Sequence, residues 1–295
     1  MNLKASACGK CVLLGEHSIL EGGGALVLPL INLKLSIDFT AGNKNELLIN
    51  FPVEEKDKKQ FWSLLEEDFK DVNTQGTYTI QSDLPVGAGL GSSAALCVAL
   101  NRLFRKDLSL QNLIEHSWKN EFRFHGKSSG MDPTSIACEK PLHFTNPHDF
   151  SELEIPQSFR SQFIFVLFDS KIRRNTQNIV SQSHSLKETQ TKKWSDNILK
   201  LQSLVVKGKE AIQTNNTSDL SFFMNEAHQA LCELEVSNDE LNQLRAQILE
   251  AGALGAKLTG AGRGGFLLAL FDLKTWQSLK SRDHSKLGSF FELNL

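Results

Sequence analysis

Residues 83–100 read DLPVGAGLGSSAALCVAL. Residues 77–81 alternate like a strand and lead to Pro85. From Gly87 through Ala88, Gly89 and Leu90 to Gly91 the chain carries almost no side-chain bulk. Ser92 and Ser93 then open an Ala/Leu-rich run that predicts a helix to about residue 104. Small residues let backbone N–H groups approach a ligand closely and accept positive φ angles. The outward-pointing amides of a first helical turn, together with the helix dipole, favour an anion at that place. A phosphate is the natural guest. A serine at 92 or 93 also suits a helix N-cap, but that role accounts for one hydroxyl and not for the glycine-alanine loop.

Two better-known phosphate loops are excluded by spacing. The G-x-x-x-x-G-K-[ST] pattern is absent; the nearest approach, Gly126-Lys127-Ser128, has Glu121 where its first glycine belongs. A dinucleotide fingerprint fails because Gly87-x-Gly89 is followed by Ser92 and several strands come earlier.

Outward from the loop, the pattern predicts strands at 11–14, 25–30, 33–39 and 46–51 and an amphipathic helix over 54–70. A further helix follows over 109–124. Past Pro141 come an apolar strand at 163–168 and helical stretches over 176–214 and 218–251. A second glycine-rich loop at 260–265 leads into a strand at 266–271. Pro141, Pro147 and Pro156 punctuate a boundary near 140–160, so two domains are expected, 1–150 and 151–295. The order of elements favours α+β over a doubly wound sheet.

Bulk properties narrow the function classes. The chain has 295 residues, 40% hydrophobic and 22% charged, with a net charge of −2, which is globular and does not suit a dedicated nucleic-acid binder. No apolar run approaches the roughly 18 residues of a membrane helix, and the N-terminus lacks a secretory core. Five cysteines make no disulfide framework in a chain this long. A cytoplasmic location without membrane attachment is expected. Cys8 and Cys11 form a C-x-x-C pair without the second pair a zinc site needs, and chance is the favoured reading.

The segment Pro85-Val-Gly-Ala-Gly-Leu-Gly-Ser-Ser-Ala-Ala95 resembles the phosphate loop of the GHMP kinases at every defining position. Two further segments follow in that family's order. CGKCVLLGEHSILEGGGALVLPL, from Cys8, resembles the first motif, in the Lys-…-Gly-Glu-His form of its mevalonate kinase branch; galactokinases usually carry Arg where Lys10 stands. Cys8 replaces the usual proline. KLTGAGRGGFLLAL, from Lys257, resembles the third motif, with Arg263 interrupting the glycine run, either toward a phosphate or toward solvent. The resemblance implies a two-domain α+β fold, with a ribosomal-protein-S5-like first domain and a ferredoxin-like second. It implies ATP as co-substrate, Mg²⁺ as cofactor and a small-molecule hydroxyl as acceptor, mevalonate being favoured over a sugar or phosphomevalonate. It leaves room for a homodimer.

The same resemblance assigns the chemistry. EFRFHGKSSGMDPTSIA, from Glu121, places Asp132 as the catalytic aspartate, paired with Lys10. Ser93 and Glu121 would hold Mg²⁺. Nucleotide contacts fall on Pro85, Gly87, Ala88, Gly89, Leu90, Gly91, Ser92 and Ser93, and on Gly260, Ala261 and Gly262. Glu16, His17 and Thr176 would meet the acceptor. A carboxylate accepting a hydroxyl proton beside an ammonium is sound chemistry, and Mg²⁺ commonly takes only one or two protein ligands. Three competing readings remain. Asp132 ahead of Pro133 could simply cap a helix. Gly126-Lys127-Ser128-Ser129-Gly130 satisfies G-x-S-x-G, though charged helical sequence precedes it where a nucleophile elbow needs a buried strand. A catalytically silent homologue is the third, but Lys10, Glu121 and Asp132 are all present.

Overall fold

Two long strands organise the first half of the chain, β1 (Asn2–Leu14) and β2 (Ala25–Ala41). They are longer than the apolar runs at 11–14, 25–30 and 33–39 predict, because alternating residues such as Leu33, Leu35, Ile37 and Phe39 bury one face while polar neighbours face outward. The two expected pieces of β2 are one continuous strand. The protein is described here from a computed structural model, over residues 2–125, 128–173, 186–282 and 287–295.

A six-stranded sheet grows from this pair. β3 (Glu46–Ile49) runs parallel to β4 (Gly76–Ser82), which pairs antiparallel with the later part of β2. At the other end of β2, Ala25–Val27 pairs with β5 (Leu142–Asn146), and β6 (Asp149–Glu152) closes the edge. This hairpin lies within the proline-punctuated stretch and has no counterpart among the expected strands. Helix α1 (Glu55–Asp68) follows β3. Helices α2 (Ser92–Phe104), α3 (Leu110–His125) and α4 (Met131–Cys138) pack together, with α2 against β1 and β2. Val98, Leu100 and Leu103 of α2 are essentially inaccessible, and each such side chain contributes about 1.5–3 kcal/mol by leaving water.

The second sheet has the order β10–β7–β9–β8, all antiparallel: β7 (Phe163–Asp169), β8 (Gly255–Thr259), β9 (Phe266–Asp272) and β10 (Phe290–Glu292). A short turn of helix, α5 (Gln157–Arg160), precedes β7. Helix α6 (Thr191–Gln213) is followed by α7 (Thr217–Glu233) and α8 (Asp239–Glu250), and α9 (Leu273–Lys280) follows β9. The fold is therefore α+β, as expected. The single helix predicted over 218–251 is two helices. Glu235 takes a positive φ of 59°, and Asn238 caps the second helix by accepting the Leu241 N–H at 2.9 Å.

One polar group inside this half responds to pH. His228 on α7 is buried. Its Nδ1 accepts the Leu258 N–H of β8 at 3.2 Å, so Nε2 carries the proton that Asn242 Oδ1 accepts at 3.1 Å. Burial, reinforced by the charge of Arg245, pushes the imidazole down to about 4. The folded state binds this proton less readily than the unfolded chain, whose imidazole titrates near 6.5. Stability from this group is therefore complete above about pH 6.5 and is lost as pH falls toward 4, by up to about 3 kcal/mol. Denaturant titrations between pH 7 and pH 4 should show that loss, and His228→Asn should flatten it.

Candidate active site

Lys10 is the centre of the site. It lies on β1 just past a register shift between Cys8 and Gly9, where the phosphate loop crosses the strand. A methyl group on Gly9 would lie 2.9 Å from the Leu90 carbonyl, and the Lys10 amide donates to that same carbonyl at 3.0 Å. The Lys10 ammonium then donates to the Gly89 carbonyl at 3.1 Å and pairs with Asp132 Oδ2 at 3.1 Å. The lysine side chain is 4% exposed and that of Asp132 27%, so the cation is fixed inside while the carboxylate faces the opening.

The loop turns glycine backbone outward. Leu84, Ala88 and Leu90 are buried and anchor it, while Gly87 is exposed and Gly89 half-buried. Helix α2 has no side-chain cap: its N-cap is Gly91 at φ 79°, and its first internal bond runs from the Ala95 N–H to the Gly91 carbonyl at 2.8 Å. Neither Ser92 nor Ser93 serves as the N-cap, and both are half-buried in the first turn. Asp132 likewise does not cap its helix. Gly130, at φ 78°, holds the N-cap position of α4, and Asp132 sits inside the first turn with its carboxylate on Lys10.

The third-motif loop packs directly on the phosphate loop. A methyl group on Gly260 would lie 3.3 Å from the Gly89 carbonyl, and one on Gly265 only 2.6 Å from the Ala88 carbonyl. Arg263 packs on the connection between α7 and α8: its Nε–H donates to the Glu235 carbonyl at 2.9 Å and its amide to the Val236 carbonyl at 2.7 Å. Behind the loop, Thr259 is stitched to β1, accepting the Val12 N–H at 2.8 Å and donating to the Val12 carbonyl at 3.0 Å.

Glu121 lies behind Asp132 and is buried. The Ser128 hydroxyl donates to its Oε2. Burial first, and the charge of Asp132 second, push Glu121 up to about 8. The charge of Lys10 opposes that rise without cancelling it, so an added cation would be favoured there. With the Ser93 hydroxyl of the first turn of α2, Glu121 makes an oxygen donor set of the kind that suits a hard cation taking few protein ligands and drawing the rest from phosphates and water. Among the described residues no group of three or more His, Cys, Asp or Glu could hold a metal by itself.

The Gly-Glu-His turn follows β1. His17 takes φ 60°, and its Nε2 meets the Ala261 carbonyl at 3.0 Å; facing an acceptor, that nitrogen carries the proton. Glu16 is 3% exposed, and one carboxylate oxygen pairs with Lys257 from β8. Helix α6 packs on the 3-10 turn Ser18–Glu21 that comes next, with Gln202 donating to the Glu21 carbonyl at 3.3 Å, and Lys187, ahead of α6, pairs with the Glu21 carboxylate at 2.9 Å. Thr176, expected to meet the acceptor, lies outside the described residues. Reading the sequence gave no role to Thr259 or Lys257 and weighed Ser128 only as a hydrolase nucleophile. Lys257 and Thr259 are tied to the first motif. They stand two apart on β8, the strand period that puts both on one side.

The hydrolase alternative finds no support here. Ser128 follows helix α3, not a strand, and its hydroxyl is given to a carboxylate. Cys8 and Cys11 are buried, unoxidised thiols, raised to about 11 and about 12 by burial, and neither is a nucleophile.

Comparison with known proteins agrees with this geometry. Residues 58–140 match the GHMP kinases N terminal domain and residues 209–285 the GHMP kinases C terminal domain. The chain belongs to the GHMP kinases. It is 30% identical to a mevalonate kinase of Thermococcus onnurineus, across 92% of this chain and 89% of that protein. Among solved structures, L. major mevalonate kinase in complex with R-mevalonate superposes with a TM-score of 0.80 at 23% identity, covering 98% of this chain and 94% of that one. Lactococcus lactis galactokinase complexed with galactose superposes with a TM-score of 0.79 at 18% identity, covering 100% and 93%. The scaffold thus marks an ATP-dependent phosphotransferase acting on an alcohol, and leaves the alcohol to the acceptor pocket.

Gly265→Ala should force the two glycine loops apart, because the added methyl meets backbone at a positive φ of 79°. Titration with a fluorescent ATP analogue should show affinity at least about tenfold weaker, with circular dichroism unchanged.

Proposed function

We propose that this kinase transfers the γ-phosphoryl group of ATP to the terminal hydroxyl of mevalonate, giving 5-phosphomevalonate. The observation that carries the reading is the Lys10–Asp132 pair, at 3.1 Å, beside the Gly89 carbonyl. The choice of mevalonate rests on the Lys10 and Gly15-Glu16-His17 form of the first motif and on relatives at 30% identity bearing that name.

In this reading the residues 85–93 wrap the triphosphate, with Gly260, Ala261 and Gly262 as the opposite wall. The acceptor hydroxyl lies against Asp132, which receives its proton as the oxygen attacks phosphorus. Lys10, held by Asp132 and the Gly89 carbonyl, faces the charge that develops on the transferring group. Glu121 and Ser93 would hold Mg²⁺, which neutralises phosphate charge when bound. Glu16, His17 and Thr176 would orient the acceptor. Residues 1–150 carry the phosphate loop and Asp132, and residues 151–295 bring the third motif, so that neither half is competent alone.

A coupled ADP-release assay across mevalonate, galactose, homoserine and phosphomevalonate tests the substrate. Turnover of mevalonate is expected, and turnover of galactose alone would contradict the reading. Asp132→Asn should lower kcat by about 10²–10⁴-fold, the usual share of a general base, while ATP affinity changes less than about threefold. Glu121→Gln should raise the Mg²⁺ concentration needed for half-maximal rate.

A further inference from the structure

Outside the Lys10, Asp132 and Glu121 cluster, the most deeply buried charged side chain among the described residues is Lys257. Its side chain is 0% exposed and that of its partner Glu16 1%. Burial pushes Glu16 up and Lys257 down, each opposed by the partner's charge. Lys257 also donates to the Leu258 carbonyl at 2.7 Å. The second carboxylate oxygen, Glu16 Oε2, is buried without a hydrogen-bond partner. Such a pair is a poor device for stability, since replacing both charges by apolar groups of similar volume is commonly neutral or favourable, whereas removing one strands the other. Its placement points elsewhere. The strand and loop at 257–261 grip the turn at 12–17 at three successive points: Thr259 on Val12, Lys257 on Glu16 and the Ala261 carbonyl on His17. Only the middle grip holds a side chain that retains an unused acceptor.

We infer that Lys257 is a positioning residue for the acceptor side of the site, fixing the buried Glu16 carboxylate from the third-motif strand and, through it, the turn that carries His17. The inference rests on the reading above in one respect, that the Glu16–His17 turn faces the acceptor. It extends the third motif beyond shaping the nucleotide site, because the strand that leads into the nucleotide wall also sets the acceptor turn.

Lys257→Met, Glu16→Gln and the double variant separate this role from plain stabilisation. Lys257→Met is expected to lower kcat/KM for the acceptor at least about tenfold, with KM for ATP within about twofold of wild type. On the Glu16→Gln background the same substitution should change kcat/KM less than about twofold, because it acts only through Glu16. The double variant should recover the melting temperature lost in Lys257→Met. Multiplicative effects, or an equal loss of ATP affinity, would overturn the inference, as would wild-type kinetics in Lys257→Met. Should Lys257→Met fail to fold, the comparison of Glu16→Gln with the double variant still decides the matter. Hydrogen exchange supplies a readout independent of turnover: amides at 15–21 should exchange faster in the double variant than in wild type, while those at 97–103 should not. Unchanged exchange at 15–21 would sink the positioning role. Wild-type inactivity on mevalonate would instead sink the substrate assignment and leave the exchange result standing.

Discussion

Lys10 binds three things at once: the strand it belongs to, the carbonyl of Gly89 at 3.1 Å and the carboxylate of Asp132 at 3.1 Å. Everything else in the site can be described by how it keeps that ammonium in place. The register shift before Gly9 opens the strand for the loop to cross. Gly91 has no side chain, so the lysine stem can lie beside it: a methyl there would come within 3.3 Å of Lys10 Cγ and Cε. A buried lysine is favourable only when charged partners or carbonyls replace its water. Here one partner is the catalytic candidate itself.

The second constraint is the contact of two glycine loops. Their backbones approach too closely for any side chain between Ala88 and Gly265, and the hydroxyl of Thr259 fixes the approach by a two-way bond to Val12. In the proposed reading the phosphate site therefore has one wall from each sheet. The carboxylates behind it, Glu121 and Asp132, repel each other and are separately restrained, one by Ser128 and one by Lys10. A dication with phosphates would relieve that repulsion, which is the electrostatic sense of leaving Glu121 without a basic partner of its own.

Much of this was legible in the sequence, for definite reasons. The loop at 87–91 announces itself through missing side chains, and α2 begins at Ser92 as its composition predicts. Lys10 and Asp132, named by separate motifs, are brought together as an ion pair at 3.1 Å. The β5–β6 hairpin escaped because five- and four-residue strands among prolines carry too few alternations to show a period. The break in 218–251 escaped because it depends on an Asn238 cap and a positive φ at Glu235, neither visible as a glycine or proline. The roles of Lys257 and Ser128 escaped for another reason. A lysine or serine in isolation reads as surface, and only the partner across 241 residues for Lys257, or across seven for Ser128, reveals the role.

The family scaffold accepts sugars as well as acids, and its galactose- and mevalonate-bound members superpose on this chain equally well. In the proposed reading, what distinguishes this chain lies in the turn carrying Glu16 and His17 and in the groups opposite it, while the phosphate loop is common ground. The central claim is the placement of that common ground: triphosphate on the amides of residues 87–94, its terminal phosphorus toward Lys10 and Asp132. A crystal structure with a non-hydrolysable ATP analogue and Mg²⁺ tests it most directly. The account predicts phosphate oxygens within hydrogen-bond distance of those amides and the metal between Glu121 and the phosphates. A nucleotide lodged elsewhere, with the loop empty, would contradict it.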